Sequence, residues 1–524
     1  VKPATHLTFA PTPALVNVPL TECYAEPLAP TSSTVEGPQL LLPLSGIGPA
    51  PAVPNKIPRA DRVFVNHDLR LSNIEWVGFD MDYTLAIYRQ DRMDALSVEL
   101  TVDRLIKRGY PSSLKELTYD TRFPIRGLLV DRKYGHVLKM DRYKVVHRGY
   151  HGLERLPDDV IQTLYHDRRI RPHTSRYHWI DTLFALSEVT SYAAVVSALE
   201  QKGEPVDYDK LFHDVRASID EAHADGTVYG VVTAALDEFM DRDLELARTL
   251  HKLRSAGKKL FLLTNSPQSY TERVMTYLLG SAMHEYPSWR HYFEVVICSA
   301  KKPRWFQEGQ PLMERDGDVL KPVRGPLERG RAYEGGNLEE FERLIGVTGA
   351  SVLYVGDHIY GDILRSKKET SWYTAMIIQE LDAEVLAHES SAIDLSRMRA
   401  LEEQRDRLED ELRFYQARFK ELSRAHGAPA NGTDGERTRA KRAVERVRTE
   451  LRANVAEYAA RSERVSTRFH PYFGSLLKEQ NEMSSFGLQV ELYADIYMRR
   501  VSCLKSYSPQ QYFRSPYDLM PHEL

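Results

Sequence analysis

Three short apolar runs in this chain each end on polar residues, and together they leave few folds open. Trp76-Val77-Gly78-Phe79 runs into Asp80; Lys259 to Thr264 reads Lys-Leu-Phe-Leu-Leu-Thr; Ser351 to Asp357 reads Ser-Val-Leu-Tyr-Val-Gly-Asp. Short unbroken apolar runs are the mark of strands buried on both faces. A helix is expected over Asp241 to Ser255, just before the second run, and helical pattern resumes near Tyr270. Strands alternating with helices predict an α/β fold with a doubly wound parallel sheet. In such sheets ligands bind beyond the carboxyl ends of the strands. Each of the three runs carries its polar residues at that end.

The first two runs are separated by about 180 residues, far more than a crossover needs. Residues 94–229 are therefore expected to form an inserted cap over the site, with helices over Tyr177 to Glu200 and Tyr208 to Ala224. The core is then split into residues 61–93 and 230–394. Residues 1–60, rich in proline as in Pro49-Ala50-Pro51-Ala52-Val53-Pro54, read as an extended N-terminal arm. Leu401, Leu408, Leu412, Tyr415, Phe419 and Leu422 follow 4-3 spacing, with Arg405 in the polar gap. After a break at Gly427 to Gly435, helical spacing resumes in Ala440, Val444, Val447, Leu451, Val455 and Tyr458. Residues 395–470 are expected to form an antiparallel helical hairpin. The aromatic tail, 471–524, is expected to dock on the core.

A net charge of −4 gives no reason to expect nucleic acid as a partner. No apolar run reaches the roughly 18 residues that span a bilayer, so no membrane is expected. Three scattered cysteines, Cys23, Cys298 and Cys503, exclude a disulfide scaffold and a Cys-x-x-Cys metal site. With no basic-then-apolar leader, the expectation is a cytoplasmic protein.

Chemistry enters at Phe79-Asp80-Met81-Asp82-Tyr83-Thr84. Two carboxylates two residues apart at a strand mouth can point into one site. That suits phosphoryl transfer, in which one aspartate attacks phosphorus and the other handles the proton. An isolated Asp-x-Asp is weak evidence, but three partners follow in order. Thr264-Asn265-Ser266 offers hydroxyls and N–H groups to phosphate oxygens. Lys302 supplies a cation for the phosphoryl charge. Asp357 and Asp362 add carboxylate for a hard cation such as Mg2+. Each has an ordinary reading: Thr264 as a helix cap, Lys302 as a solvated charge, Asp362 as a turn residue. Their order and their places at strand ends argue against coincidence.

These motifs are those of the haloacid dehalogenase superfamily. Phe79 to Ala86, Leu263 to Ser266, Lys302-Pro303 and Gly356 to Leu364 closely resemble the cytosolic purine 5'-nucleotidases. So do Arg122-Phe123-Pro124-Ile125-Arg126-Gly127 and Leu519-Met520-Pro521-His522-Glu523, and the resemblance runs from about residue 62 onward. It implies a haloacid dehalogenase-like core with a mainly helical cap, and a Mg2+-dependent hydrolase of purine nucleoside monophosphates. Asp80 would be the nucleophile and Asp82 the acid and base. Asp80, the Asp82 carbonyl and Asp357 would hold Mg2+, with Asp362 behind them, and Thr264, Asn265, Ser266 and Lys302 would hold the phosphate. A homo-oligomer, dimer or tetramer, is also implied.

In that family the base lies between an aromatic ring and a histidine, with a charged pair at its edge. Phe184 matches the ring, and Arg216, Asp220 and His223 match the rest. Spacings of four and three put the last three on one helical face. Arginine can donate to purine O6 and N7, which favours IMP and GMP over AMP. The ordinary reading is an intrahelical Arg216–Asp220 ion pair beside a packed Phe184. Ala185, Ala224 and Tyr229 depart from the family's asparagine, tyrosine and lysine, and Asp181 replaces an asparagine tied there to effector binding, although Tyr360 and Lys368 keep an aromatic ring and a cation nearby. The alternatives are a phosphatase for another monoester, a nucleoside phosphotransferase, or a non-catalytic nucleotide-binding assembly protein.

Overall fold

The structure, a computed structural model, describes residues 57–166, 170–172, 174–280, 282–316, 319–347, 349–425, 433–516, 520 and 523. The arm expected over 1–60 lies almost wholly outside the described residues, as do most of the hairpin loop and part of the closing motif at 519–523.

The three apolar runs are strands, and four more join them side by side. They are β1 (Trp76–Phe79), β2 (Lys259–Leu263), β3 (Val295–Cys298), β4 (Ala332–Gly335), β5 (Val352–Gly356), β6 (Tyr373–Ile377) and β7 (Ile496–Met498). Their order is β7-β6-β5-β1-β2-β3-β4, each pair parallel. Antiparallel strands at both edges complete a ten-stranded sheet. All four residues of β1 are buried, as a central strand covered on both faces requires. Gly78 is needed there for space, since a Cβ would stand 2.1 Å from the Phe261 ring.

Strand order reverses at β1: the chain moves to β2, β3 and β4 on one side, then crosses to β5 on the other. Such a switch point opens a crevice beyond the carboxyl ends of the strands. Register aligns those ends, with Phe79 opposite both Leu262 and Val355. The aromatic tail does more than dock, because β7 comes from it and pairs with β6 inside the sheet.

The insertion between β1 and β2 is mainly helical, with α1 (Gln90–Lys107), α2 (Leu186–Gln201) and α3 (Tyr208–Ala224). Asp207 caps α3 by accepting the Lys210 N–H at 3.1 Å. The insertion also holds a five-stranded antiparallel sheet that helical periodicity did not suggest. Tyr177–Ile180, expected in a helix, is an edge strand of that sheet paired with Leu128–Asp131. Long-range pairing overrides local pattern there. Likewise the helix expected from Asp241 starts at Leu246, because Met240–Asp241 pairs with Ile87–Tyr88. Among the described residues, Leu183–Gln201 is long and apolar enough to cross a membrane, against the expectation from apolar runs. Its apolar surface is spent inside the fold, with 78% of the stretch buried.

The hairpin consists of α4 (Ala392–Ala425) and α5 (Thr433–Phe469). Gly435, expected in the break, lies within α5. The seam of α5 runs through Val444 and Val447 to Asn454, which is buried and donates to the Leu401 carbonyl at 3.1 Å. Val455, the expected seam residue, is 48% exposed. A 4-3 step from Leu451 reaches position 454, so heptad geometry sets a polar residue in the seam.

Candidate active site

Asp80 follows β1, and its N–H donates to the Val355 carbonyl of β5 at 2.9 Å. Its Oδ1 accepts from the Met81 N–H and pairs with Lys302 Nζ, both at 2.8 Å. Oδ2 has no hydrogen-bond partner among the described residues. Burial pushes the Asp80 carboxyl well above the usual range, while the Lys302 ammonium pulls it back. The chain then turns sharply: Tyr83 has φ 54°, and the N–H groups of Thr84, Leu85 and Ala86 all donate to the Met81 carbonyl. This turn brings Asp82 back beside Asp80. Tyr88 Oη donates to Asp82 Oδ1 and Ser266 Oγ donates to Oδ2, both at 2.6 Å. Burial raises the Asp82 carboxyl, and the Ser266 and Tyr88 hydroxyls act against that rise.

Thr264 ends β2 and is fully buried, its Oγ1 accepting the Ser266 N–H at 3.0 Å. The Asn265 amide grips the main chain of Lys302, donating to its carbonyl at 3.0 Å and accepting its N–H at 2.6 Å. The side chains of Asn265 and Ser266 therefore hold Lys302 and Asp82 in place. Lys302 Nζ reaches Asp80, Asp362 (2.7 Å) and Tyr354 Oη (2.9 Å). Burial works to lower the ammonium, but Asp362 and Asp80 hold it well above its ordinary value. Tyr354 and Tyr88 were missed in the sequence. The signal for Tyr354 was a lone hydroxyl in a buried strand, which must find a partner.

Asp357 follows β5, next to Asp80, and its buried Oδ2 has no hydrogen-bond partner among the described residues. One oxygen each from Asp80, Asp357 and Asp362 lie within 4.8 Å of one another. Asp362, expected behind the cation site, stands in this cluster, with Oδ1 taking Lys302 and Oδ2 taking the His358 N–H at 3.3 Å. Burial, helped by the charge of Asp362, pushes the Asp357 carboxyl up to about 7. Three buried carboxylates beside one lysine, with Asp357 Oδ2 orphaned, form a hard-oxygen set suited to Mg2+.

Above this lies an aromatic wall from the cap and core. Phe184, 40% exposed, meets Tyr83 edge-on at 4.7 Å, and Tyr83 packs on Tyr88. Tyr88 and Tyr270 share a hydroxyl contact at 2.8 Å, Tyr270 packs on Tyr229 at 4.6 Å, and Tyr229 on His223. The rings of Phe184 and His223 are 6.4 Å apart at 77°. A planar base can stack on one of them as they stand, not lie flat between both. Arg216 Nη1 contacts the His178 ring at 2.9 Å, and Asp220 is exposed. No Arg216–Asp220 ion pair occurs among the described residues. At the cap boundary His358 Nε2 stands 3.4 Å from Asp181. Burial opposes its imidazolium, but Asp181 holds it up at about 9.

The 5' nucleotidase family matches residues 63–524. A 5'-nucleotidase domain-containing protein of Dictyostelium discoideum is 30% identical over 480 residues, covering 88% of this chain and 74% of its own. Among solved structures, a predicted phosphoglycolate phosphatase from Haemophilus somnus is 15% identical, with a TM-score of 0.25, over 58% of this chain and 85% of its own. L-2-haloacid dehalogenase from Xanthobacter autotrophicus, also 15% identical, has a TM-score of 0.21 over 58% and 78%. Scores that low carry no argument; the fold rests on the strand order and register above.

Proposed function

This chain belongs to the 5' nucleotidase family and is a phosphoric monoester hydrolase, and on that premise we propose that it hydrolyses purine nucleoside 5'-monophosphates, IMP and GMP ahead of AMP, with Mg2+. The observation that carries the reading is the pair of buried aspartates at the end of β1, each with its own partners. Asp80 is paired with an ammonium, which opposes the effect of burial and favours the anion a nucleophile needs. Asp82 is raised by burial and held by two hydroxyl donors that act against that rise, a balance that lets it take and release a proton.

Asp80 Oδ2, the oxygen without a hydrogen bond, attacks phosphorus in line and forms an aspartyl-phosphate. Asp82 protonates the departing 5'-oxygen, then takes a proton from the water that cleaves the intermediate. Lys302, the Thr264 hydroxyl and the Asn265 N–H receive the phosphoryl oxygens. Asp80, the Asp82 carbonyl and Asp357, with Asp362 alongside, would hold the cation. When bound, Mg2+ would screen the repulsion between the anionic nucleophile and the phosphate. Phe184 offers a face for the base, with His223 at its edge.

One observation favours a phosphatase for another monoester instead: Arg216, the expected reader of the purine edge, turns its Nη1 to His178. Phosphate release from IMP, GMP, AMP, a pyrimidine monophosphate and a sugar phosphate, with Mg2+ and with chelator, decides between them. Mg2+-dependent release strongest on IMP or GMP upholds the proposal. Release only from other monoesters keeps the chemistry and discards the base reading.

A further inference from the structure

Arg126 has no role in the scheme above, yet its side chain is fully buried within reach of the cation site. Its Nε and Nη2 donate to Glu380 Oε1 and Oε2 at 2.9 and 2.6 Å, a bidentate pair. Its Nη1 donates to the main-chain carbonyl of Asp357 at 2.8 Å. The Phe486 ring lies 5.0 Å from the guanidinium carbon. Gly127 is as constrained as its neighbour: φ is 82°, and a Cβ would stand 2.5 Å from Phe486. Its N–H donates to the Ile180 carbonyl at 2.6 Å, on the strand that leads to Phe184. On the other side, Gln379, next to Glu380, donates to the Tyr83 carbonyl at 2.9 Å, bracing the turn that carries Asp82.

Burying an arginine is costly, and an apolar residue would fill the same space more cheaply. Glu380 answers its charge at close range, and although the guanidinium also acts through space on the Asp357 carboxyl, the Asp357 main chain is held by one directed hydrogen bond. That bond needs a planar fork with a third donor at a fixed angle, which lysine lacks.

We propose that Arg126, clamped by Glu380, is a positioning residue that fixes the Asp357 main chain and thereby sets the affinity of the carboxylate cluster for a divalent cation. The inference rests on the cation reading given above. Partners behind a metal ligand typically change affinity by about 10- to 100-fold when removed.

The test is binding of Mn2+, read by electron paramagnetic resonance, to the substrate-free 524-residue chain and to Arg126→Lys, Glu380→Gln and Asp357→Asn. Arg126→Lys should bind Mn2+ about 10- to 100-fold more weakly, with circular dichroism unchanged, and raised Mg2+ should restore most of its turnover. Glu380→Gln should weaken binding in the same direction by less. Parent-like affinity in a folded Arg126→Lys, while Asp357→Asn loses the metal, overturns the inference and leaves the cation site standing. If Arg126→Lys does not fold, Glu380→Gln decides by the same criterion. If Asp357→Asn binds Mn2+ as the parent does, or the parent binds none, the cation reading falls and takes this inference with it.

Discussion

Replacing Tyr88 by phenylalanine removes one oxygen atom and tests the role given to Asp82. The ring contacts with Tyr83 and Phe184 survive. What is lost is the hydroxyl 2.6 Å from Asp82 Oδ1. That bond favours the carboxylate over the acid, so its loss moves the Asp82 carboxyl further up. A hydrogen bond to a charged group contributes ~1.5–3 kcal/mol. At 1.36 kcal/mol for each pH unit, the change is about one to two pH units. Asp82 must carry a proton to protonate the leaving oxygen, so the basic limb of kcat/KM should move up in pH by that amount. Cleavage of the aspartyl-phosphate needs the carboxylate, so the phosphoryl-enzyme should accumulate as pH falls. The assay is kcat/KM on IMP from about pH 5 to 9 at saturating Mg2+, with rapid-quench trapping of the intermediate. A basic limb that stays in place in a folded Tyr88→Phe protein would refute the reasoning. Ser266→Ala should shift the limb in the same direction, since Ser266 Oγ holds the other oxygen at the same distance.

Asp80→Asn should abolish phosphate release while circular dichroism and the melting temperature stay near the parent's; near-normal turnover removes the nucleophile assignment. Phe184→Ala should raise KM for nucleotides about tenfold, as loss of one stacking face of ~1–3 kcal/mol implies. Turnover of p-nitrophenyl phosphate, which has no purine, should hardly change, and an equal loss on both substrates would count against base stacking. Asp94 on α1 is buried, its Oδ2 without a partner among the described residues, and burial pushes its carboxyl up to about 8. Between about pH 4 and 8 the folded chain then keeps a proton that the unfolded chain gives up, so stability falls as pH rises across that window. The whole span amounts to something on the order of 5 kcal/mol. Asp94→Asn should flatten the pH dependence of urea unfolding there, and an unchanged slope would show that Asp94 is ionised in the fold.

Much of the core site was legible because its residues end strands, and a buried strand is a local pattern. Asp80, Thr264 and Asp357 could be placed at one edge of one sheet from three apolar runs. Their duties were less legible. The side chains of Asn265 and Ser266 hold Lys302 and Asp82, partners that nothing in their own stretch of sequence names. In the cap, helical spacing identified α3 but not what it faces. Arg216 turns to His178, a residue of a strand that had read as helix.

The sequence by itself determined the class of sheet, the edge at which chemistry occurs and the kinds of group available there. These follow from polar residues at the ends of short apolar runs, a relation between neighbours in the chain. Tertiary structure alone decided the partners. Asp82 meets Ser266 across 184 positions, and Arg126 meets Glu380 across 254. No periodicity links residues so far apart. Sheet register and the packing of the cap bring them together, and desolvation in that packing sets which carboxyls stay charged.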